Sequence, residues 1–229
     1  MATENIDSWE TEISIDVQGY TFPAMQKAVR DAAITFCEKT HLWTDDLDRI
    51  TVVANTPDYD LSLSMPAAIP HGEIIGIDDV KYKQDGMADK QFVTLDPISE
   101  NQMDLHDSGS WKWRTSSTPA KYYADKTHTI LYLKNTPTLG SANGLLVRAI
   151  LRPAKDATVL EQFLYAQHYK AIADGAKGFL LGQSAQPWFN AQLAVMFGGA
   201  FSMAISEAKI QKVDRGTKRK MSVRMREWV

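Results

Sequence analysis

The stretch YTFPAMQKAVRDAAITFCEKTHLW, residues 20–43, decides the class of fold, because its apolar side chains return every three or four positions. Phe22, Met25, Val29, Ala32, Ala33, Phe36 and Thr40 share one side, while Lys27, Arg30, Asp31 and Glu38 decorate other directions. Thr21 stands where a helix would start, and Pro23 is tolerated in a first turn. The pattern predicts an amphipathic helix that needs a packing partner. Cys37, the only cysteine, sits beside Phe36 in this pattern and reads as a small buried hydrophobe. A single cysteine also excludes an internal disulfide and a dense thiolate metal site.

C-terminal to this helix the period changes. ITVVA at 50–54, the alternation of Tyr59, Leu61, Leu63 and Met65, EIIGIDDVKY at 73–82, KYYA at 121–124, TILYLK at 129–134 and LLVRAIL at 145–151 all predict strands. NTPD, MPAAIPHG, KQDG, NTPTLGSANG and RPAKD supply turns between them. The helical period then returns. One helix is expected to start at Asp156 or Thr158 and run to 182, with Thr158 and Glu161 at capping-box spacing and Leu160, Leu164, Ile172, Ala176 and Phe179 as its stripe. QSAQPW breaks it before a last helix from 188 to about 213, which carries Leu193, Met196 or Phe197, Ala200, Phe201, Ala204 and Ile205 on one face. Gly175 and Gly178, and again Gly198 and Gly199, predict points of close helix approach.

These readings give an α+β class. A three-helix framework holds an inserted antiparallel β-sheet or small β-barrel, and an extended basic C-terminal arm follows. Four units are expected: residues 1–48 as an N-terminal segment and first framework helix, 49–153 as the β insertion, 154–213 as long framework helices, and 214–229 as the arm.

Composition agrees with a folded chain: 229 residues, 44% hydrophobic and 23% charged. The polar opening MATENIDSWE has neither the basic start nor the apolar core of a secretory signal. No apolar run reads as a bilayer-spanning helix, so assembly in a cytoplasm is expected. Charge is unevenly placed. Residues 1–60 hold 12 acidic and 4 basic groups, whereas residues 205–229 hold 8 basic and 3 acidic ones. Two oppositely charged ends suit contact between identical subunits or with separate partners.

Signals for catalysis are weak. The five histidines, His41, His71, His106, His128 and His168, are scattered and match no metal-binding motif. DLHDSGSWKWRTSSTP at 104–119 crowds acids, His106, Ser108 and Ser110, but crowding alone does not couple a base to a hydroxyl. A loop anchored by Trp111 or Trp113 is the simpler reading, with a small hydrolase as the alternative. Neither a GxxxxGK phosphate loop nor a dinucleotide fingerprint is present. Tyr122, Tyr123 and Tyr132 are expected to pack the sheet rather than stack bases. No cofactor or metal is expected.

The ending IQKVDRGTKRKMSVRMREWV, 210–229, is the sharpest signal. Lys218, Arg219 and Lys220 form a basic run, and Arg224 and Arg226 flank Met225 ahead of Trp228. Phosphate binding needs the charge but gains nothing from Met221, Val223, Met225 and Trp228. An extended segment burying Met221, Val223 and Met225 in a protein groove, with Arg224 and Arg226 on the other side, accounts for both. The nine predicted docking residues are therefore Lys218, Arg219, Lys220, Met221, Val223, Arg224, Met225, Arg226 and Trp228.

The order of several segments resembles the head–tail connector, or adaptor, proteins of tailed bacteriophages. These are ITFCEKTHLWTDDLDRITVVANTPDYDLSLS (34–64), EIIGIDDVKY, TPAKYYADKTHTILYLKNTP (118–137) and AIADGAKGFLLGQSAQPWFNAQLAVMF (171–197). The resemblance implies a structural virion protein rather than an enzyme. It implies a homo-oligomeric ring, commonly a dodecamer, beneath the portal, which continues the DNA channel used in ejection and offers a platform to a tail or nozzle protein. It places the chain at the head–tail junction of a virion assembled in the host cytoplasm, with transient channel-DNA contact and no membrane. It also implies that 210–229 docks on the portal protein. Two other readings stay open: a DNA-binding packaging accessory protein, and a neighbouring neck or tail completion protein.

Overall fold

The structure is a computed structural model that describes residues 2–67, 69, 71–84, 91–99, 102, 114–116 and 119–216, with side chains as far as Lys212. In chain order the described elements begin with β1 (Thr3–Asn5), α1 (Glu10–Asp16), α2 (Phe22–Thr40), β2 (Thr44–Asp46), β3 (Ile50–Val52), β4 (Asp58–Asp60) and β5 (Gly72–Tyr82). There follow β6 (Val93–Thr94), β7 (Asp96–Pro97), β8 (Thr115–Ser116), β9 (Lys121–Ala124), β10 (Ile130–Lys134), β11 (Thr136–Pro137), β12 (Ser141–Pro153) and β13 (Val159–Glu161). α3 (Gln162–Leu181) and α4 (Ala191–Gly216) complete the set, so the chain is a mixed α+β protein with four described α-helices.

α2 forms where its spacing requires. Met25, Val29, Ala32, Ala33, Phe36 and Cys37 are wholly buried, whereas Phe22 in the first turn stays 43% exposed. The Thr21 carbonyl accepts from the N–H groups of Ala24 and Met25. At the other end His41 adopts φ 52° and donates its N–H to the Cys37 carbonyl at 2.8 Å, which closes the last turn.

The N-terminal segment is part of the core, which the sequence reading missed. Ile6, Trp9, Ile13 and Val17 recur at helical spacing and are all buried. Trp9 donates Nε1–H to the Tyr169 carbonyl of α3 at 3.2 Å, and its ring lies 5.1 Å from that of Tyr165. β1 pairs antiparallel with β13. That pairing corrects the expected helix start. Thr158 is not a cap; its carbonyl accepts from Ile6, and 159–161 extend beside β1 before α3 begins at Gln162.

β12 is the spine of a five-stranded sheet and pairs antiparallel with β2, β3 and β5. Leu145, Val147, Ala149 and Leu151 are fully buried along it. A second sheet has the order β4-β10-β9-β7. Residues 93–97 pass from one sheet to the other, with β6 on β5, β7 on β9, and buried Leu95 between them. The expected antiparallel arrangement holds for most pairs, but β7 with β9 and β8 with β11 are parallel. Parallel neighbours need a long return, and the more than twenty residues between β7 and β9 provide one. The alternation read at 61–65 is not a strand: Ser62–Ser64 form a 3₁₀ turn that leaves Leu63 84% exposed.

α2, α3 and α4 meet at Gly175. A Cβ there would lie 3.0 Å from the Phe201 ring of α4 and 3.1 Å from the Ala32 Cβ of α2. Gly178 is the second contact, since a Cβ would come within 3.2 Å of the Gly198 backbone nitrogen. Beside this junction Lys177 is 2% exposed and donates to Asp16 at 2.6 Å and Glu12 at 3.2 Å, which ties α1 to α3. Burial pulls the Lys177 ammonium down, yet the two carboxylates outweigh it and hold its pKa above the ordinary lysine value.

Candidate docking surface

The nine predicted docking residues from Lys218 to Trp228 lie outside the described residues. What is described is the helix that leads to them. α4 spans 26 residues, or about 39 Å at a rise of 1.5 Å per residue. It starts cleanly: the Asn190 carbonyl accepts from Ala194, and its side-chain oxygen accepts from the Leu193 N–H at 3.1 Å.

One side of α4 packs inward through Phe201, Ile205 and Ala208, each 5% exposed or less. Phe201 sits 6.5 Å from Phe36 and 6.3 Å from Phe179, ring to ring. The opposite side is apolar as well, yet uncovered. Val195 is 77% exposed, Met203 67%, Ile210 62% and Met196 55%. Steps of three and four residues join them through Gly199, Ala200 and Ser206 into one stripe along the helix. The hydroxyls on this side do not make it polar, because Ser202 donates to the Gly198 carbonyl and Ser206 to the Ser202 carbonyl, both at 3.0 Å.

Three expectations change here. A Cβ at Gly198 or Gly199 would meet nothing within 4 Å, so among the described residues the expected close approach rests on the Gly198 backbone, which Gly178 meets, and not on Gly199. Phe179, assigned to the buried stripe of α3, is 40% exposed. Ala191–Lys212 is long and apolar enough to cross a membrane by length and composition, contrary to the reading that no run qualifies. The signal for the last was present: residues 193–205 contain no charged side chain, so an inward face alone could not use up their apolar surface.

The far end of α4 is held in place. Lys212 donates Nζ to the His41 carbonyl at 2.6 Å, so a cation from α4 meets the carbonyl end of α2. The last described turn, ending at Gly216, therefore leaves from beside the C-terminus of α2.

Among the described residues no three His, Cys, Asp or Glu side chains are placed to hold a metal ion. His41 caps α2, the His71 carbonyl accepts from Ala154, His128 occupies a turn at φ 58°, and His168 packs 4.8 Å from the Phe36 ring. Burial pushes the Cys37 thiol up, aided by Glu38. His106, Ser108, Ser110, Trp111 and Trp113 lie outside the described residues. Tyr122 and Tyr123 are buried in the sheet, and Tyr132 stacks on Tyr123 at 4.7 Å.

The acids of residues 1–60 are largely engaged with the same chain. Glu12 and Asp16 hold Lys177, Glu38 contacts Arg152, Asp46 clasps Arg148 through two hydrogen bonds, and Asp7 accepts from Gln26. No protein-family model matches the chain, and no curated protein matches it.

Proposed function

We propose that the chain is a structural virion subunit whose identical copies form a ring between portal and tail and continue the DNA channel. In this reading the helices are a framework, the β insertion faces the tail or nozzle, and the basic arm from 214 onward reaches the portal protein. The supporting observation is the uncovered apolar side of α4. A side chain such as Val195, left 77% exposed in a stripe with Met196, Met203 and Ile210, gains free energy only when a partner removes it from water. The stripe leads directly into the basic arm, so helix and arm form one docking element with an apolar stem and a charged tip. Repetition around a ring multiplies modest contacts into firm attachment.

The test pairs Val195→Lys with Met203→Lys, and separately removes residues 217–229. Each change should leave the thermal melt of the free protein unaltered and abolish co-sedimentation with portal rings. Portal binding by the doubly substituted protein contradicts the proposal. So does stable insertion of the intact chain into phosphatidylcholine vesicles, which would assign α4 to lipid.

A further inference from the structure

A recess of about 610 Å³ lies between α2 and the stretch leaving β12, with Ile34 and Thr35 among its walls. Arg152 at one end is already held by Glu38 and Glu73. The other three cations are differently placed. Lys27 and Lys155 are exposed and make no ion pair or side-chain hydrogen bond among the described residues. Arg30 donates Nη1 to the Lys155 carbonyl at 2.6 Å, while its Nε is buried without a partner. Two unpaired ammonium groups and a guanidinium lining one recess make a receptor for an oxyanion.

A nucleic-acid backbone suits this recess poorly. Asp31 and Glu38 line it too and repel a polyanion, and Ile34 offers phosphates nothing. A protein segment with a few carboxylates and some apolar surface suits it better.

The chain itself carries such a segment. β4 is an edge strand of the four-stranded sheet, and Asp58 and Asp60 alternate there with buried Tyr59. Both carboxylates thus stand on one exposed face. Asp58 has no side-chain partner among the described residues, and Asp60 uses Oδ1 for Ser62. Alternate strand residues are about 6.5 Å apart, and helix residues three or four apart are separated by about 5–6 Å. The aspartate pair therefore matches the span from Lys27 to Arg30. Half-buried Ile130 and Tyr132, directly across from Asp60 and Asp58, offer apolar surface toward Ile34.

We infer that the α2 recess of one copy receives Asp58 and Asp60 of a second copy. The inference deepens the ring reading, on which it rests, by naming a contact between neighbours. All four charged positions to be changed are exposed, so the variants should keep the fold, and melting curves check this. Self-association of the full chain is followed by sedimentation velocity up to its solubility limit. Lys27→Glu with Lys155→Glu, or Asp58→Lys with Asp60→Lys, should each weaken association by about tenfold or more. An equimolar mixture of the two reversed proteins should restore it. A wild type that stays monomeric at every concentration overturns the inference, as does association unchanged by either reversal or not restored by mixing. Duplex-DNA binding lost in the recess variant would assign the recess to phosphate and likewise overturn it. If the inference fails while the α4 substitutions still block portal attachment, the ring reading stands without it.

Discussion

α2 and α4 lie against the same neighbour, α3, but resolve their apolar content in opposite ways. On α2 the wholly buried side chains all point inward, and the outward positions carry Lys27, Asp31, Glu38 and Lys39. On α4 the inward line of Phe201, Ile205 and Ala208 accounts for only part of the apolar surface, and Val195, Met196, Met203 and Ile210 face solvent. A helix that has finished packing shows a polar back. α4 shows an apolar one among the described residues, which is the ground for the partner proposed above.

Substitutions along the two helices should separate these cases, and the largest effect belongs on α2. Phe36→Ala opens a cavity among Phe201, His168 and the α2 core, and chemical denaturation should show a loss of about 3–5 kcal/mol. Lys177→Ala comes next. It strands Glu12 and Asp16 beside a buried surface, and because both acids are partly exposed the loss should be about 2–3 kcal/mol. Gly175→Ala forces a methyl against the Phe201 ring and Ala32, with an expected loss of about 1–3 kcal/mol.

A smaller effect is set by pH. Burial raises the Asp174 pKa above the ordinary carboxylate value, with Glu12 and Asp16 adding to the rise and Lys177 and Lys170 opposing it. Its ionised form therefore costs stability at neutral pH; the cost shrinks as pH falls below the folded value and is gone below the unfolded one. Asp174→Asn should raise the melting temperature at pH 7 and coincide with wild type in acid. Asp125 has the opposite sign. Burial raises its pKa, but hydrogen bonds from Thr127, Ile130 and Thr129 prevail and lower it, so its stabilisation is lost as pH falls through the folded value. The smallest effect closes the comparison: Met203→Lys on the outer side of α4 should change stability by no more than about 0.5 kcal/mol.

Local pattern carried far in this sequence, and its failures share one cause. α2, β5, β9, β10 and β12 were legible because their side-chain period matches the surface they bury. The start of α3 was not, because Thr158 and Glu161 have capping-box spacing, yet Glu161 pairs with Thr3 and the Thr158 carbonyl accepts from Ile6, both more than 150 residues away. Non-local pairing overrode a sound local signal. α1 was legible and overlooked, since Ile6, Trp9, Ile13 and Val17 carry the same period as α2. On α4 the residues were read correctly as helical, but one apolar face was assumed where there are two. The candidate site was legible only as a direction along the chain: the arm was singled out from its charge, whereas the exposed apolar face that is described precedes it.

The most direct measurement uses a single thiol. Cys37 is fully buried, so Val195→Cys places the one accessible thiol at the N-terminal end of the exposed stripe. Its alkylation rate can be compared between the free protein and particles of the proposed assembly. Burial of the α4 stripe against a partner predicts rapid labelling of the free chain and labelling slower by on the order of tenfold or more in the particle. Equal rates in the two states would contradict it.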